Sequence, residues 1–135
     1  VGDVLLAAAV GAEGFLRVIT IDPVARTIAA PVIVDVQATI DTSGPVALGM
    51  IGTQVIALGV DTEGSLRTAT RPVAGPTWTQ LASVKAPQLL SPLGGVTAVS
   101  MAASGVMAIV VGKDGTILSS LSVDGTTWPM LAPLD

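Results

Sequence analysis

The sequence predicts an all-β chain made of about three four-stranded units of roughly 50 residues each, the first of them incomplete. Three observations predict it: a self-similarity in step along the whole chain, runs of branched aliphatic residues, and turn residues that punctuate those runs at matching places. Half of the 135 residues are apolar, nearly all of them Val, Ala, Leu and Ile, whereas the only aromatics are Phe15, Trp78 and Trp128. Branched aliphatics suit strands, and 15 Gly with 9 Pro imply many turns.

The repeat is read from three landmarks. Apolar runs at residues 4–10, 55–60 and 106–111 are each followed by a short polar turn that closes on a glycine. Those glycines, Gly14, Gly64 and Gly115, stand 50 and 51 residues apart. Downstream, Thr27-Ile28, Thr77-Trp78 and Thr127-Trp128 recur at 50 and 50. A third landmark, the runs 46–50 and 96–101, links the second and third units. A fixed period of this length signals a repeat architecture. The units are predicted to span approximately 1–40, 41–90 and 91–135.

Each full unit reads as four strands. An inner strand (46–50, 96–101) turns into the apolar run. A glycine-closed turn, with positive φ expected at its last residue, leads to a third strand such as 66–70 or 117–121. A short fourth strand is expected at the Thr-Trp pair. The apolar runs do not alternate with polar residues, so burial of both faces is expected. Blades of a β-propeller, each sandwiched between neighbours, meet that requirement and match the strand count. A β-sandwich, the main rival, does not require a 50-residue repeat.

The count of units does not close. Three units of 50 need about 15 residues more than 135, and the gap falls before Val4, where the first unit lacks its linker and inner strand. Propellers have four blades or more. Completion is therefore expected from copies of the same chain, from another chain, or from further polypeptide; two copies make about six blades and three make about nine. The strand at 4–10 is expected to have an unpaired edge within the isolated chain.

Several function classes are excluded or disfavoured by composition. The net charge is −4 with no basic cluster, so no nucleic-acid partner is expected. Without Cys or His there are no disulfides, no Cys/His zinc sites and no histidine general base. The absence of Cys fits either redox compartment, with a secreted or cell-surface setting slightly favoured. No signal-peptide pattern opens the sequence at Val1. The uncharged stretch 96–111 is apolar enough to raise the question of a membrane helix. Ser104 and Gly105 lie within it and β-branched residues flank them, so two strands and a turn are expected and membrane insertion is not. The acidic turn Asp61-Thr62-Glu63-Gly64 matches no calcium loop; no metal and no cofactor are expected.

In the third unit, Ser122-Val123-Asp124-Gly125-Thr126-Thr127-Trp128 resembles an Asp-box of the BNR type, Ser/Thr-x-Asp followed by Gly-x-Thr-Trp, as found in sialidase-like propellers and in bacterial and fungal propeller lectins. The second unit keeps Gly75-Pro76-Thr77-Trp78, and the first keeps only Thr27 before Ile28. The resemblance implies a turn between the last two strands of a blade. There Asp124 accepts backbone N–H bonds and Trp128 covers the hairpin, a structural role shared with Ser122, Gly125 and Thr127.

A sialidase would need a tyrosine nucleophile and three clustered arginines. The chain has no Tyr, and its arginines are Arg17, Arg26, Arg67 and Arg71. Acids suited to glycoside hydrolysis exist, but nothing singles out a pair, and no enzyme is expected. The resemblance favours a carbohydrate-binding, lectin-like module acting within an oligomer. Trp78, Trp128 and the equivalent pair Arg17 and Arg67 are the candidate ligand-binding residues. The alternative reading of the arginine pair, and the one it fits more simply, is an exposed strand charge that discourages edge pairing. The rival reading is a non-enzymatic assembly subunit whose blades serve protein–protein association.

Overall fold

A computed structural model describes residues 4–101 and 104–134. It is all-β, and its strands form three four-stranded antiparallel sheets that do not close on one another. The first sheet holds β1 (Leu5–Val10), β2 (Leu16–Asp22), β3 (Thr27–Ile28) and β4 (Val32–Ile33), with β3 and β4 sharing the far edge of β2. The second runs β5 (Val46–Ile51), β6 (Gln54–Val60), β7 (Leu66–Pro72) and β8 (Ala82–Val84) in simple meander order. The third repeats that order with β9 (Val96–Ser100), β10 (Val106–Val111), β11 (Ile117–Ser122) and β12 (Ala132–Pro133). The only helical element among the described residues is the 3-10 turn Pro92–Gly94, and no helix is long and apolar enough to cross a membrane. Residues 96–111 contain β9 and β10, as expected of the uncharged stretch.

The hairpin at the heart of each unit is the same structure three times. Val10 pairs with Leu16, Val60 with Leu66 and Val111 with Ile117. In each turn two backbone bonds recur: Gly11 N to Phe15 O, Asp61 N to Ser65 O and Gly112 N to Thr116 O at 3.0, 2.9 and 2.8 Å, and the closing glycine's N–H donating back, Gly14 N to Gly11 O, Gly64 N to Asp61 O and Gly115 N to Gly112 O at 2.9, 3.1 and 2.9 Å. That glycine has φ of +87°, +84° and +87° at Gly14, Gly64 and Gly115, a conformation any side chain would strain.

The fourth strand departs from expectation. It lies at Ala82–Val84 and Ala132–Pro133, not at the Thr-Trp pairs, and β4 stands at the equivalent place in the first sheet. The backbone of the Thr-Trp segment touches the third strand at only one point, Thr79 N to Thr70 O at 2.9 Å, matched by Ala29 N to Thr20 O at 2.9 Å. Only in the first unit, at Thr27–Ile28, does the segment itself form a strand. The intervening Pro76 and Pro129 lack the N–H a ladder needs, and pairing resumes a few residues later.

Two apolar layers hold the three sheets together. One contains Leu16, Val18, Val55, Ala57 and Ala69, from the first and second sheets, with Ile40 from their linker. The other contains Ile56, Leu58, Val60, Val106, Ala108 and Val110, from the second and third, with Leu90 from the next linker. Alternate residues of β6 thus serve opposite layers, as the two-residue period of a strand requires.

The linkers act as straps. Ile40 N bonds Gly14 O at 2.7 Å and Asp41 N bonds Val60 O at 2.9 Å; Leu90 N bonds Gly64 O and Ser91 N bonds Val111 O, both at 2.8 Å. Each strap grips the turn of the unit it leaves and the strand end of the unit it enters.

Burial of both faces, expected for all three apolar runs, holds only for the middle one. β6 is buried along nearly its whole length. β10 alternates between buried and half-buried, and β1 between half-buried and exposed. The reason is position: only the second sheet has a neighbour on each side. The first sheet has no strand equivalent to β5 and β9 among the described residues, and β1 pairs with β2 alone. β1 lies against β5 instead, with an apolar cleft of 280 Å³ between them lined by Leu5, Leu6, Leu48, Met50 and Val55 among others.

Candidate functional site

The turn at 122–128 builds itself from short polar side chains. Asp124 Oδ1 accepts the backbone N–H groups of Thr126 and Thr127 at 2.8 and 2.6 Å and the Ser122 hydroxyl at 3.2 Å. Ser122 Oγ in turn accepts Gly125 N–H at 2.9 Å, and Gly125, at φ +79°, packs against Ile56. Trp128 Nε1 donates to Gly125 O at 3.2 Å, and its half-buried ring lies against the layer between the second and third sheets. The backbone N–H bonds of Thr127 and Thr126 hold the Asp124 carboxyl well below the usual carboxylate range. Ser122, Asp124, Gly125, Thr127 and Trp128 therefore form one self-contained hydrogen-bonded unit.

Trp78, the counterpart of Trp128, is only 9% exposed and belongs to the layer between the first and second sheets. The Arg71 guanidinium sits over its ring, 5.1 Å from the centroid. Arg71 Nε and Trp78 Nε1 are buried with no acceptor among the described residues. Sequence reasoning missed Arg71 as a partner of Trp78. The six residues between them carry no helical or strand period that would announce the contact.

Arg17 and Arg67 occupy equivalent places after the glycine-closed turns and each binds an acid of its own hairpin. Arg17 pairs with Glu13, and Arg67 Nε bonds Asp61 Oδ2 at 2.7 Å. Asp61 also accepts Glu63 N–H at 3.0 Å and Ser65 N–H at 2.8 Å, so one buried carboxylate fixes both the turn and the arginine. In front of Arg67 lies a cleft of 250 Å³ lined by Gln37, Thr39, Asp61, Thr62 and Glu63. Its floor comes from the second unit and its wall from the linker that leaves the first.

That linker wall is set by Asp35, a buried carboxylate not singled out by the sequence. It accepts Gln37 N–H within its own turn and Leu81 N–H from the second unit, both at 2.8 Å. The equivalent strap between the second and third units uses a backbone carbonyl, Leu131 N to Lys85 O at 2.8 Å. The 50-residue offset pairs Asp35 with Lys85, and that break in the repeat was the available signal.

Of the four residues expected to bind a ligand, the structure places only Arg67 in this cleft; neither Trp lines it. The tryptophans serve two different layers between sheets. Among the described residues no three acidic side chains stand close enough to hold a metal ion. No protein-family model matches the chain, and no curated protein matches it.

Proposed function

We propose that this chain is a structural assembly module, a set of propeller-type blades that works by docking its open sheet faces against further protein. The observation that carries the reading is the exposure of apolar sheet surface at both ends of the three-sheet stack. Leu5 is 56% exposed on the first sheet and Ile117 is 50% exposed on the third, within faces that are aliphatic on their paired central strands apart from Arg17 and Ser119. Contiguous apolar faces of this kind mark interaction surfaces. Native mass spectrometry and an apolar-dye titration test the proposal together. The chain is expected in discrete complexes, or as a monomer that binds dye and gains solubility when a partner masks it. A monodisperse monomer at tens of micromolar that binds no dye would overturn it.

A carbohydrate-binding role for the assembled object is the second reading, and the cleft at Arg67 favours it. Gln37, Thr39 and Glu63 present amide, hydroxyl and carboxylate groups around one side of Arg67, a donor and acceptor set suited to sugar hydroxyls. Weak sites repeated around an assembly bind through multivalency. A glycan array probed with the native complex, and again with Gln37→Ala and Glu63→Ala, decides this reading: sugar signal that survives both substitutions removes the cleft as the site.

A further inference from the structure

We infer that the occupant of the open faces is a second copy of this chain, stacked head to tail, with the outer face of the third sheet of one copy on the outer face of the first sheet of the next. The inference rests on the assembly reading and adds the partner and the geometry to it.

The argument comes from the register of the repeat. Inside the molecule, β6 presents Ile56, Leu58 and Val60 to the third sheet, and the residues that receive them are Val106, Ala108 and Val110. On its other side β6 presents Val55, Ala57 and Gly59 to the first sheet, where Leu6, Ala8 and Val10 meet them. Both internal interfaces therefore join the same two kinds of face. One kind carries Ile56, Leu58 and Val60, or Leu6, Ala8 and Val10 in the first sheet; the other carries Val55, Ala57 and Gly59, or Val106, Ala108 and Val110 in the third.

The two open faces are one of each kind. With the 51-residue offset, Met107, Ile109 and Val111 stand where Ile56, Leu58 and Val60 stand, and they point away from the second sheet. With the 50-residue offset, Leu5, Ala7 and Ala9 stand where Val55, Ala57 and Gly59 stand, and they are exposed. Among the described residues, the two open faces are the two unmatched halves of the internal interface. Large residues of the third sheet would meet small ones of the first, and close packing rewards that pairing. Two third-sheet faces would set large rows against large rows, and two first-sheet faces would leave gaps between small ones.

The charge pattern agrees. Arg17 is the only formal charge on the outer face of β1 and β2, and it is already paired with Glu13. The outer face of β10 and β11 carries Ser119 and no charge. Neither face therefore brings an unpaired charge into the contact. A joint of two different faces is heterologous, so repetition builds a ring if the rotation per copy closes, and a filament if it does not.

Two double variants, at the exposed Leu5, Ile117 and Leu121 and the half-buried Ile21, test the inference. Leu5→Lys with Ile21→Lys spoils the first-sheet face, because these residues are cross-strand partners on it. Ile117→Lys with Leu121→Lys spoils the third-sheet face. Val24→Lys, on an exposed turn, is the control. Sedimentation velocity and native mass spectrometry read the assembly, and far-UV circular dichroism checks that each variant folds. The wild type and the control are expected to form homomeric complexes. Each double variant should lose them, shifting half-association by about tenfold or more because a lysine charge would be buried. Mixed together, the two variants should give a capped one-to-one pair, since each still has the face the other lacks.

Complexes that survive in both folded variants would overturn the head-to-tail joint while leaving the assembly reading standing. Loss in one variant only, with no capped pair on mixing, would mean a joint between like faces and would also overturn it. A wild-type chain that binds apolar dye and forms complexes only with a different protein would overturn the choice of a second copy. A dye-silent wild-type monomer would remove both readings.

Discussion

Replacing Gly59 by Ala tests how the linker strap is seated. Gly59 lies in β6, opposite Val46 and Arg67, in ordinary extended backbone, so alanine brings no backbone strain. The obstacle is Ile40. A Cβ at position 59 would stand 2.9 Å from Ile40 Cγ2, 3.1 Å from Cδ1 and 3.2 Å from Cγ1. Ile40 is 1% exposed and its backbone is tied to Gly14, so it has little room to withdraw. Overpacking of this kind costs about 1–3 kcal/mol. The entropy lost by glycine in a strand offsets about 0.5–1 kcal/mol of it. The expected net loss is about 1–2 kcal/mol.

The third unit suggests the cure. There the equivalent pair is Leu90 with Val110, and both are buried without conflict. Leucine lacks the β-branch methyl that is the nearest obstacle. Ile40→Leu alone should cost less than about 1.5 kcal/mol, and the double variant should recover about 1 kcal/mol or more relative to the sum of the singles. Urea denaturation followed by circular dichroism, at one fixed protein concentration because association shifts apparent stability, gives all three values. Strict additivity, or an alanine at 59 that stabilises the chain, would refute the account of the strap.

Three further outcomes are expected. Trp128→Ala should lower stability by about 1–3 kcal/mol, less than a fully buried tryptophan would, because its ring is half-buried; a loss beyond about 4 kcal/mol in the same denaturation assay would contradict that placement. Asp124 has a depressed folded-state pKa, so its stabilisation is fully present above the ordinary carboxylate value and is lost as pH falls below it toward the folded value; Asp124→Asn should flatten the acid limb of the melting-temperature profile and leave its neutral-to-basic shape unchanged. Trp78→Phe keeps an aromatic ring under Arg71 and removes a buried donor without an acceptor among the described residues; it should cost less than about 1.5 kcal/mol, and a loss near that of a core truncation would reveal a partner for the indole N–H.

The parts legible in the sequence are the local ones. The three hairpins follow from an apolar run, a polar turn and a glycine, and each reproduces the same bonds because a tight turn is decided by the few residues within it. The Asp124 turn was legible for the same reason: a carboxylate two and three residues before the N–H groups it accepts needs no distant help. The fourth strands were misplaced because a two- or three-residue edge strand has no pattern of its own. Ala82–Val84 and Ala132–Pro133 pair where the register of β7 and β11 offers partners past the prolines.

Period, the central hairpin strands and turn geometry were therefore determined by the sequence by itself, through steric and hydrogen-bonding rules that act within about ten residues. The depth of each strand was decided by the tertiary structure. Residues 4–10, 55–60 and 106–111 read alike, yet β6 is buried on both faces, β10 on one, and β1 is partly open on both. Burial is a property of neighbours, and only the stacking order of the sheets says which strand has them. The same holds for Asp35 reaching Leu81 and for Ile40 against Gly59. These contacts exist because two sheets and their strap meet at one depth, a coincidence of register that no local pattern encodes.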